Sequence, residues 1–276
     1  MPDSRQIMSS SAPSPAQPFQ TVTQDKFLGG KIEILQPAKG RHRAGLDAVY
    51  LAAVLPEDTK GHVVDLGTGV GTAAFCVASR LPKVACTGVE LDEVVLDLAK
   101  KSLVLAQNSN FKDRISLIHA NITAKGNKRH SSGLLSNMCD HVIMNPPYYA
   151  DGRFSVTPNA PRASAHALDE RGVEPWVKTA KDIVRDGGTL SIVFRADGLN
   201  ELLKVMGNRF GAIDIIPLRP APDLPATRIL VTAVAASKAP LRLLPGFDIH
   251  ETKGGAFTQH AEGVLRYGKG LEIPKR

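Results

Sequence analysis

A glycine-rich turn follows a run of apolar residues in the stretch VVDLGTGVG at 63–71. Glycine lets the main chain adopt positive φ and approach a ligand closely. A strand that ends in such a turn and opens a helix is typical of the nucleotide sites of open α/β sheets. The third glycine, Gly71, comes one position earlier than the dinucleotide fingerprint requires. Asp65 precedes the turn, and its carboxylate would repel a pyrophosphate but would suit a cationic amino-acid group.

Two more polar residues follow the next apolar runs of the chain. Glu90 ends the second run, where a carboxylate can accept hydrogen bonds from both hydroxyls of a ribose. Asn121 follows the third run, where a polar side chain could meet the amino group of an adenine. The alternative is a glycine turn that serves packing alone. The combination favours S-adenosylmethionine over NAD, and the predicted cofactor residues are Asp65, Gly67, Gly69, Glu90 and Asn121.

The tetrad Asn145-Pro146-Pro147-Tyr148 follows the fourth apolar run. Two successive prolines fix the chain and remove two N–H donors, so the carbonyl groups of Asn145 and Pro146 can face a ligand. With the Asn145 side chain they could accept both hydrogens of a planar NH₂ group, while Tyr148 stacks on the ring that carries it. Such acceptors localise the nitrogen lone pair, and attack on a methyl group then depends mainly on orientation. The predicted catalytic residues are therefore Asn145, Pro146 and Tyr148.

Short apolar runs alternate with stretches of helical periodicity along most of the chain, which predicts βαβ units and an α/β fold. The expected architecture is a Rossmann-like, mostly parallel seven-stranded sheet with helices on both faces. The predicted strands are 31–35, 62–66, 84–90, 114–120, 140–145, 189–195, 212–217 and 229–236, and the predicted helices are 45–55, 71–81, 93–107, 174–185 and 198–206. We expect residues 1–22 to be a disordered lead-in rich in serine and proline. Residues 23–237 would form the main domain, and 238–276 an extension packed on it.

The composition is that of an ordinary globular chain, with 276 residues, 43% hydrophobic and 22% charged. This excludes a wholly disordered chain, a collagen and a disulfide scaffold. The sequence contains neither an uncharged apolar run of about 18 residues nor a secretory signal, so we expect no membrane contact. Three cysteines and eight histidines lack metal-ligand spacing, which favours a reducing cytoplasm and no metal. The net charge of +7 favours a polyanionic partner.

The motifs together resemble the class I S-adenosylmethionine-dependent methyltransferases that modify planar amino groups. The stretch at 25–53, DKFLGGKIEILQPAKGRHRAGLDAVYLAA, resembles the tRNA adenine-N6 methyltransferase family, which modifies the adenine beside the anticodon of a valine tRNA. The stretches PLRP at 217–220 and FTQHAEGVLR at 257–266 are also similar to it, so the resemblance covers about residues 23 to 268. It implies the cofactor and target-base residues given above. The chain departs from the family at Asn121, where many relatives carry an acid, and at Arg41-His42-Arg43, where Gly-Tyr-Arg is more frequent.

Basic residues predict where an RNA would bind. The segment at 124–137, interpreted as a polar loop, carries Lys125, Lys128 and Arg129 with no acid. Arg43 could line the entrance to the predicted site on the same side, as could Arg41, Arg153 and Arg162. The tail from 238 to 276 has seven basic and four acidic residues. Such groups could bind phosphates, with a salt-dependent affinity, and the long segment 149–172 could cover the substrate.

Three other functions compete with an RNA adenine-N6 methyltransferase. A protein glutamine-N5 methyltransferase also uses the same tetrad on a planar amide, but relatives of that kind usually carry an N-terminal helical domain. A DNA adenine methyltransferase would normally need an added target-recognition domain. A non-catalytic RNA-binding module is the option outside the enzymes, and the complete set of acids, glycines and tetrad argues against it. The sequence does not determine the oligomeric state.

Overall fold

A mixed sheet forms the centre of the molecule in the computed structural model, which describes residues 21–38, 43–147 and 172–276. Seven strands form its main body in the order β8-β9-β7-β6-β3-β4-β5, and only β9 runs antiparallel to its neighbours. This confirms the predicted Rossmann-like, mostly parallel fold. The seven strands are β3 (Gly61–Leu66), β4 (Val84–Glu90), β5 (Ile115–His119), β6 (Cys139–Met144), β7 (Val184–Arg195), β8 (Phe210–Arg219) and β9 (Arg228–Ala235).

Helices cover both faces of this sheet, as predicted. One apolar core packs α1, α2, α3 and α7 against one face, and a second packs α5 and α6 against the other. The helices are α1 (Leu46–Ala53), α2 (Thr72–Arg80), α3 (Glu93–Leu103), α4 (Gly126–Ser131), α5 (Glu174–Ile183), α6 (Leu199–Met206) and α7 (Gln259–Tyr267). Within the described residues, none of these helices is long and apolar enough to cross a bilayer.

A two-stranded antiparallel hairpin precedes the sheet, with β1 at Val22–Phe27 and β2 at Ile32–Pro37. Strand β2 was predicted, because the buried Ile32 and Ile34 alternate with polar residues. Strand β1 was not predicted, because its sequence VTQDKF is mostly polar and it is ordered by pairing with β2. Val22, which was expected to be the last residue of the disordered lead-in, is thus the first residue of a strand. Residues 1–20 lie outside the described part of the chain.

The tail after residue 237 extends the same sheet. Strands β10 (Arg242–Leu243) and β11 (Phe247–Asp248) pair in parallel with β8 and bring the sheet to nine strands, two more than predicted. Each has only two residues, too few to show a periodicity in the sequence. Further along, the N–H of Leu271 donates to the Ala53 carbonyl at 2.8 Å, so the tail contacts α1.

The segment 124–137 is not a continuous loop, contrary to the prediction. It contains the one-and-a-half-turn helix α4, which begins after Lys125. The helix was missed because its sequence, GNKRHS, has no apolar residue to give a helical period. Helix α4 instead depends on contacts with a distant part of the chain, which are described below.

Candidate functional site

The carboxyl ends of three neighbouring strands bring the predicted residues to one edge of the sheet. Strand β3 lies between β4 and β6, and its last residue, Leu66, pairs with both Val89 and Met144. Glu90 follows Val89, and Asn145 follows Met144. Both residues therefore lie at the edge where the glycine turn begins, which is where open α/β sheets bind their ligands.

Asp65 lies beneath the turn and is almost fully buried, with 2% of its surface exposed. Its Oδ2 atom accepts hydrogen bonds from the Thr68 hydroxyl at 2.6 Å and from the Ala74 N–H at 3.2 Å. Burial raises the pKa of Asp65 to about 6, the nearby Glu90 adds to this effect, and the two hydrogen bonds oppose it. The carboxylate thus organises the turn and still carries a second oxygen, Oδ1.

Glu90 is held by three main-chain N–H groups. Its Oε2 atom accepts from Gly69 at 3.0 Å, and its Oε1 atom accepts from Leu91 and from Asp92, both at 2.8 Å. The side chain is half-buried at the end of β4. Its negative charge is therefore fixed next to the turn, where it can accept hydrogen bonds from a ligand.

The glycine turn needs its glycines for two different reasons. Gly67, Gly69 and Gly71 all have positive φ, of 73°, 58° and 92°. At Gly67 an added Cβ atom would lie 2.6 Å from the Trp176 ring, so only glycine fits there. At Gly69, apart from the glycine itself and its two neighbours in the chain, no described heavy atom lies within 4 Å of the position that a Cβ atom would take, so this part of the turn is open to a ligand.

Asn121 lies just beyond β5 and is exposed. Its side-chain oxygen accepts from the Thr123 N–H at 2.9 Å and from the Thr123 hydroxyl at 3.0 Å. These contacts occupy both lone pairs of that oxygen, which leaves the NH₂ group as the part of the amide able to meet a ligand. The side chain is thus better placed to donate to a ring nitrogen than to accept from an amino group.

The described part of the tetrad ends at Pro147. Asn145 is half-buried, Pro146 is buried and Pro147 is exposed, so the chain turns from the sheet towards solvent at this point. Tyr148 lies outside the described residues, as do Arg41, His42, Arg153, Arg162 and nearly all of the segment 149–172. The predicted roles of Asn145, Pro146 and Tyr148 stay predictions.

The four basic residues chosen from the sequence fall into two groups. Lys125 and Lys128 are exposed at the start of α4. Arg43 instead donates to Asp25 at 2.6 Å, and to Thr23 and the Pro37 carbonyl, which fixes it to the β1–β2 hairpin. Arg129 is 14% exposed and pairs with Asp182 at 2.6 Å. Phosphate contacts by these two arginines would have to replace existing ones, so the two lysines are the better candidates.

Several residues that shape this edge were not predicted. Thr68 and Trp176 contact Asp65 and Gly67, as described above, and Thr179 of α5 contacts the main chain next to Asn121, where it donates to the Ile122 carbonyl at 2.7 Å. Thr68 lies within the glycine-rich stretch, so its hydroxyl could have been noted as a partner of Asp65. For Trp176 and Thr179 the sequence holds no such signal, because their partners lie more than fifty residues away. Among the described residues, no cluster of histidine, cysteine or acidic side chains could hold a metal ion.

The sequence matches the family model described as "Methyltransferase small domain" over residues 46–217. This range runs from α1 to β8 and includes Asp65, Glu90 and Asn145. The chain belongs to the methyltransferase small domain family. The predicted membership of a methyltransferase family, together with the predicted Rossmann-like fold, is thereby confirmed.

Relatives of known name are also methyltransferases. A tRNA1(Val) (adenine(37)-N6)-methyltransferase of Porphyromonas gingivalis is 29% identical over 167 residues, which is 58% of this chain and 61% of the relative. A protein of the same name from Glaesserella parasuis is 26% identical, covering 59% and 63% of the two chains. The chain thus spans about three fifths of the length of these curated relatives.

A solved structure of this methyltransferase class covers more of the chain. The crystal structure of an Agrobacterium tumefaciens protein, described as a "predicted O-methyltransferase", is 32% identical and has a TM-score of 0.70. The match covers 82% of this chain and 98% of that protein. The name of that protein specifies oxygen as the acceptor atom, whereas the relatives named above modify nitrogen.

Proposed function

We propose that this chain transfers a methyl group from S-adenosylmethionine to the N6 atom of an adenine in tRNA. The observation that carries the proposal is the position of Asn145. It directly follows Met144, which pairs with Leu66, the last residue of β3 before the glycine turn. An asparagine suited to gripping an amino group thus lies beside the turn, next to the two acids Asp65 and Glu90. A cofactor site and a target-base site would meet at this edge.

The residues at the edge fit S-adenosylmethionine. The Oδ1 atom of Asp65 makes no hydrogen bond among the described residues, and its negative charge suits the ammonium group of the cofactor. Glu90 would accept from the ribose hydroxyls, and the open position at Gly69 leaves room for the main chain to approach them. The Asn121 amide would donate to a ring nitrogen of the adenine. Bound there, S-adenosylmethionine supplies an electrophilic methyl group on a sulfonium sulfur.

Asn145 and Pro146 would prepare the acceptor nitrogen. The exocyclic amine of adenine is a poor nucleophile, because its lone pair is delocalised into the ring. The Asn145 side chain and the carbonyls beside the prolines would accept both of its hydrogens and so localise the lone pair. Tyr148 would stack on the base and hold it in line, so that orientation supplies most of the rate enhancement. No side chain is required as a strong base, since the nitrogen becomes acidic only after the transfer.

Two observations support tRNA as the acceptor. The curated relatives are named for the adenine at position 37 of a valine tRNA. The exposed Lys125 also follows β5 and Asn121 closely in the chain, and the exposed Lys128 lies three residues further on, in α4. They would contact phosphates while the target base enters the site. An adenine in an RNA loop is already partly unstacked, so little free energy is needed to flip it.

The test compares three acceptors under one set of conditions. The chain is incubated with methyl-labelled S-adenosylmethionine and, separately, with unmodified tRNA, with a release factor and with an adenine-containing DNA duplex. We expect label in tRNA alone. Label in the release factor would instead assign the chain to glutamine-N5 methylation, and 2′-O-methylated nucleosides would assign it to oxygen. In either case the proposed acceptor would be wrong.

A further inference from the structure

Helix α5 carries three residues that contact two of the connections between strands, the turn after β3 and the β5–β6 connection. Trp176, Thr179 and Asp182 are spaced by three residues, so each is a neighbour of the next on the surface of the helix. Trp176 is 4% exposed and Thr179 is fully buried. Trp176 contacts the turn after β3, whereas Thr179 and Asp182 contact two parts of the β5–β6 connection.

The first contact fixes the glycine turn. The Trp176 ring lies against Gly67 so closely that a Cβ atom added there would be 2.6 Å from its Cη2 atom. Trp176 therefore limits how far the turn after β3 can move towards α5.

The second contact fixes the loop after β5. The Thr179 hydroxyl donates to the Ile122 carbonyl at 2.7 Å, and both residues are buried. Ile122 directly follows Asn121, whose side chain is in turn oriented by Thr123. A buried carbonyl that lost its donor would be costly, so the loop would shift to find another partner.

The third contact fixes α4 and the residues that follow it in the chain. Asp182 accepts from Arg129 at 2.6 Å and from the Ser136 hydroxyl at 2.7 Å. Its own carbonyl accepts from the Asn137 N–H at 2.9 Å. The glycine turn and the β5–β6 connection are thus both fastened to the same helix, α5.

We infer that Thr179 is a positioning residue for the cofactor, and that α5 sets the distance between the two walls of the cofactor site. This inference rests on the proposed binding of S-adenosylmethionine between the glycine turn and Asn121. Trp176 holds one wall and Thr179 holds the other, one helical turn apart. Thr179 itself lies beneath the loop and acts on the cofactor only through the position of Asn121.

The test measures the affinity for S-adenosylhomocysteine by calorimetry. Thr179→Val keeps the shape of the side chain and removes the donor, so we expect the Kd to rise about fivefold, the equivalent of one ordinary hydrogen bond. Thr179→Ser keeps the donor and should bind as the wild type does. Thr189→Val is the matched control, because it removes a 2.7 Å contact between the Thr189 hydroxyl and His141 nearer the opposite edge of the sheet. Its Kd should not change.

A double-mutant cycle separates positioning from general stability. In an Asn121→Ala background the Thr179→Val change should have little further effect on the Kd, because the group that Thr179 positions is gone. Should the valine variant fail to fold, Thr179→Cys, which replaces the hydroxyl with a weak thiol donor, gives the same comparison.

The possible outcomes distinguish a failure of this inference from a failure of the proposed function on which it rests. If the wild type binds S-adenosylhomocysteine and Thr179→Val binds equally well, the inference is wrong and the proposed function stands. Additive effects of the two changes, or an equal loss of affinity in Thr189→Val, would also overturn it. Absence of binding by the wild type would overturn both proposals.

Discussion

The N–H of Gly69 donates a 3.0 Å hydrogen bond to the Oε2 atom of Glu90, which joins the glycine turn after β3 to the end of β4. The same carboxylate accepts from Leu91 and Asp92 through its other oxygen. One side chain thus holds the main chain on both sides of the proposed ribose position. The cofactor site would be preorganised by the same residue that contacts the ligand.

Replacing Glu90 by alanine should therefore weaken cofactor binding in two ways. The ribose would lose its acceptor, and the turn at Gly69 would lose the partner that orders it. Hydrogen bonds to a charged group contribute about 2 kcal/mol, so the Kd for S-adenosylhomocysteine should rise by a factor of about thirty. Calorimetric titration checks this, with Asp97→Asn on the exposed surface of α3 as the control. Wild-type affinity in the alanine variant would show that Glu90 does not contribute to the cofactor site.

The pKa of Asp65 predicts opposite pH dependences for binding and for stability. Burial raises that pKa from 3.8 to about 6, so the folded chain holds a proton there at a pH where the unfolded chain has lost it. The contribution of Asp65 to the free energy of unfolding is full below about pH 4 and is lost as the pH rises through about 6. Cofactor binding needs the charged carboxylate and should weaken as the pH falls through about 6.

Titrations of wild type and Asp65→Asn between about pH 5 and pH 8 test this behaviour. The wild-type Kd for S-adenosylhomocysteine should increase towards the acid end of the range. The asparagine variant should bind weakly at every pH, with little slope. A wild-type Kd that stays constant over the whole range would contradict the assignment of Asp65 to the cofactor ammonium group.

Asn145→Ala should greatly slow methyl transfer while leaving cofactor affinity nearly unchanged. The side chain is assigned to the target base and not to the cofactor, so only orientation of the acceptor should be lost, with a fall in kcat of about a hundredfold or more. Single-turnover rates and calorimetry on the same preparation separate the two effects. Asn200→Ala, on the exposed surface of α6, should behave as the wild type does. A variant at 145 with full activity would refute the role of Asn145.

The two kinds of basic residue on α4 should respond differently to substitution. The double variant Lys125→Glu, Lys128→Glu should make the negative slope of log K against log salt for tRNA binding shallower by about one to two, without affecting folding. The same double change at the exposed Lys100 and Lys112, which lie near the opposite edge of the sheet, should leave the slope unaltered. An unchanged slope in the Lys125 and Lys128 variant would place these lysines outside the RNA interface.

Arg129→Ala should instead lower the free energy of unfolding by about 2 kcal/mol, because it breaks a largely buried ion pair with Asp182. Thermal or chemical denaturation measures this loss. The matched control is Arg185→Ala, since Arg185 also pairs with an aspartate, Asp140, but is 55% exposed. Exposed pairs contribute little, so the control should lose well under 1 kcal/mol. Equal stabilities of the two variants would mean that the Asp182 pair does not anchor α4.

Most of the sheet and the edge that carries the site could be predicted from the sequence. Strands β3, β4 and β6 are short apolar runs, and each ends in a polar or glycine residue of a recognisable motif. Asp65, Glu90 and Asn145 could therefore be placed together from the rule that parallel strands end at one edge. The prediction depended on local patterns of sequence, which these elements possess.

The elements that were missed depend on distant contacts. Strand β1 and the two-residue strands β10 and β11 are defined by their pairing with β2 and β8, not by their own periodicity. Arg43 and Arg129 were assigned to an RNA surface because the sequence shows that a residue is charged but not which residue it pairs with. Asp25 and Asp182 engage them in the folded chain. The contact of Thr179 with Ile122 likewise has no local signal.

The measurement that tests the central claim most directly is the identity of the methylated nucleoside. The chain is incubated with labelled S-adenosylmethionine and an unmodified valine tRNA transcript, or with the same transcript carrying guanine in place of the adenine beside the anticodon. Nuclease digestion and chromatography then identify the product. We predict label in N6-methyladenosine from the first transcript and none from the second. Label in any other nucleoside, or equal labelling of both transcripts, would contradict the proposed reaction.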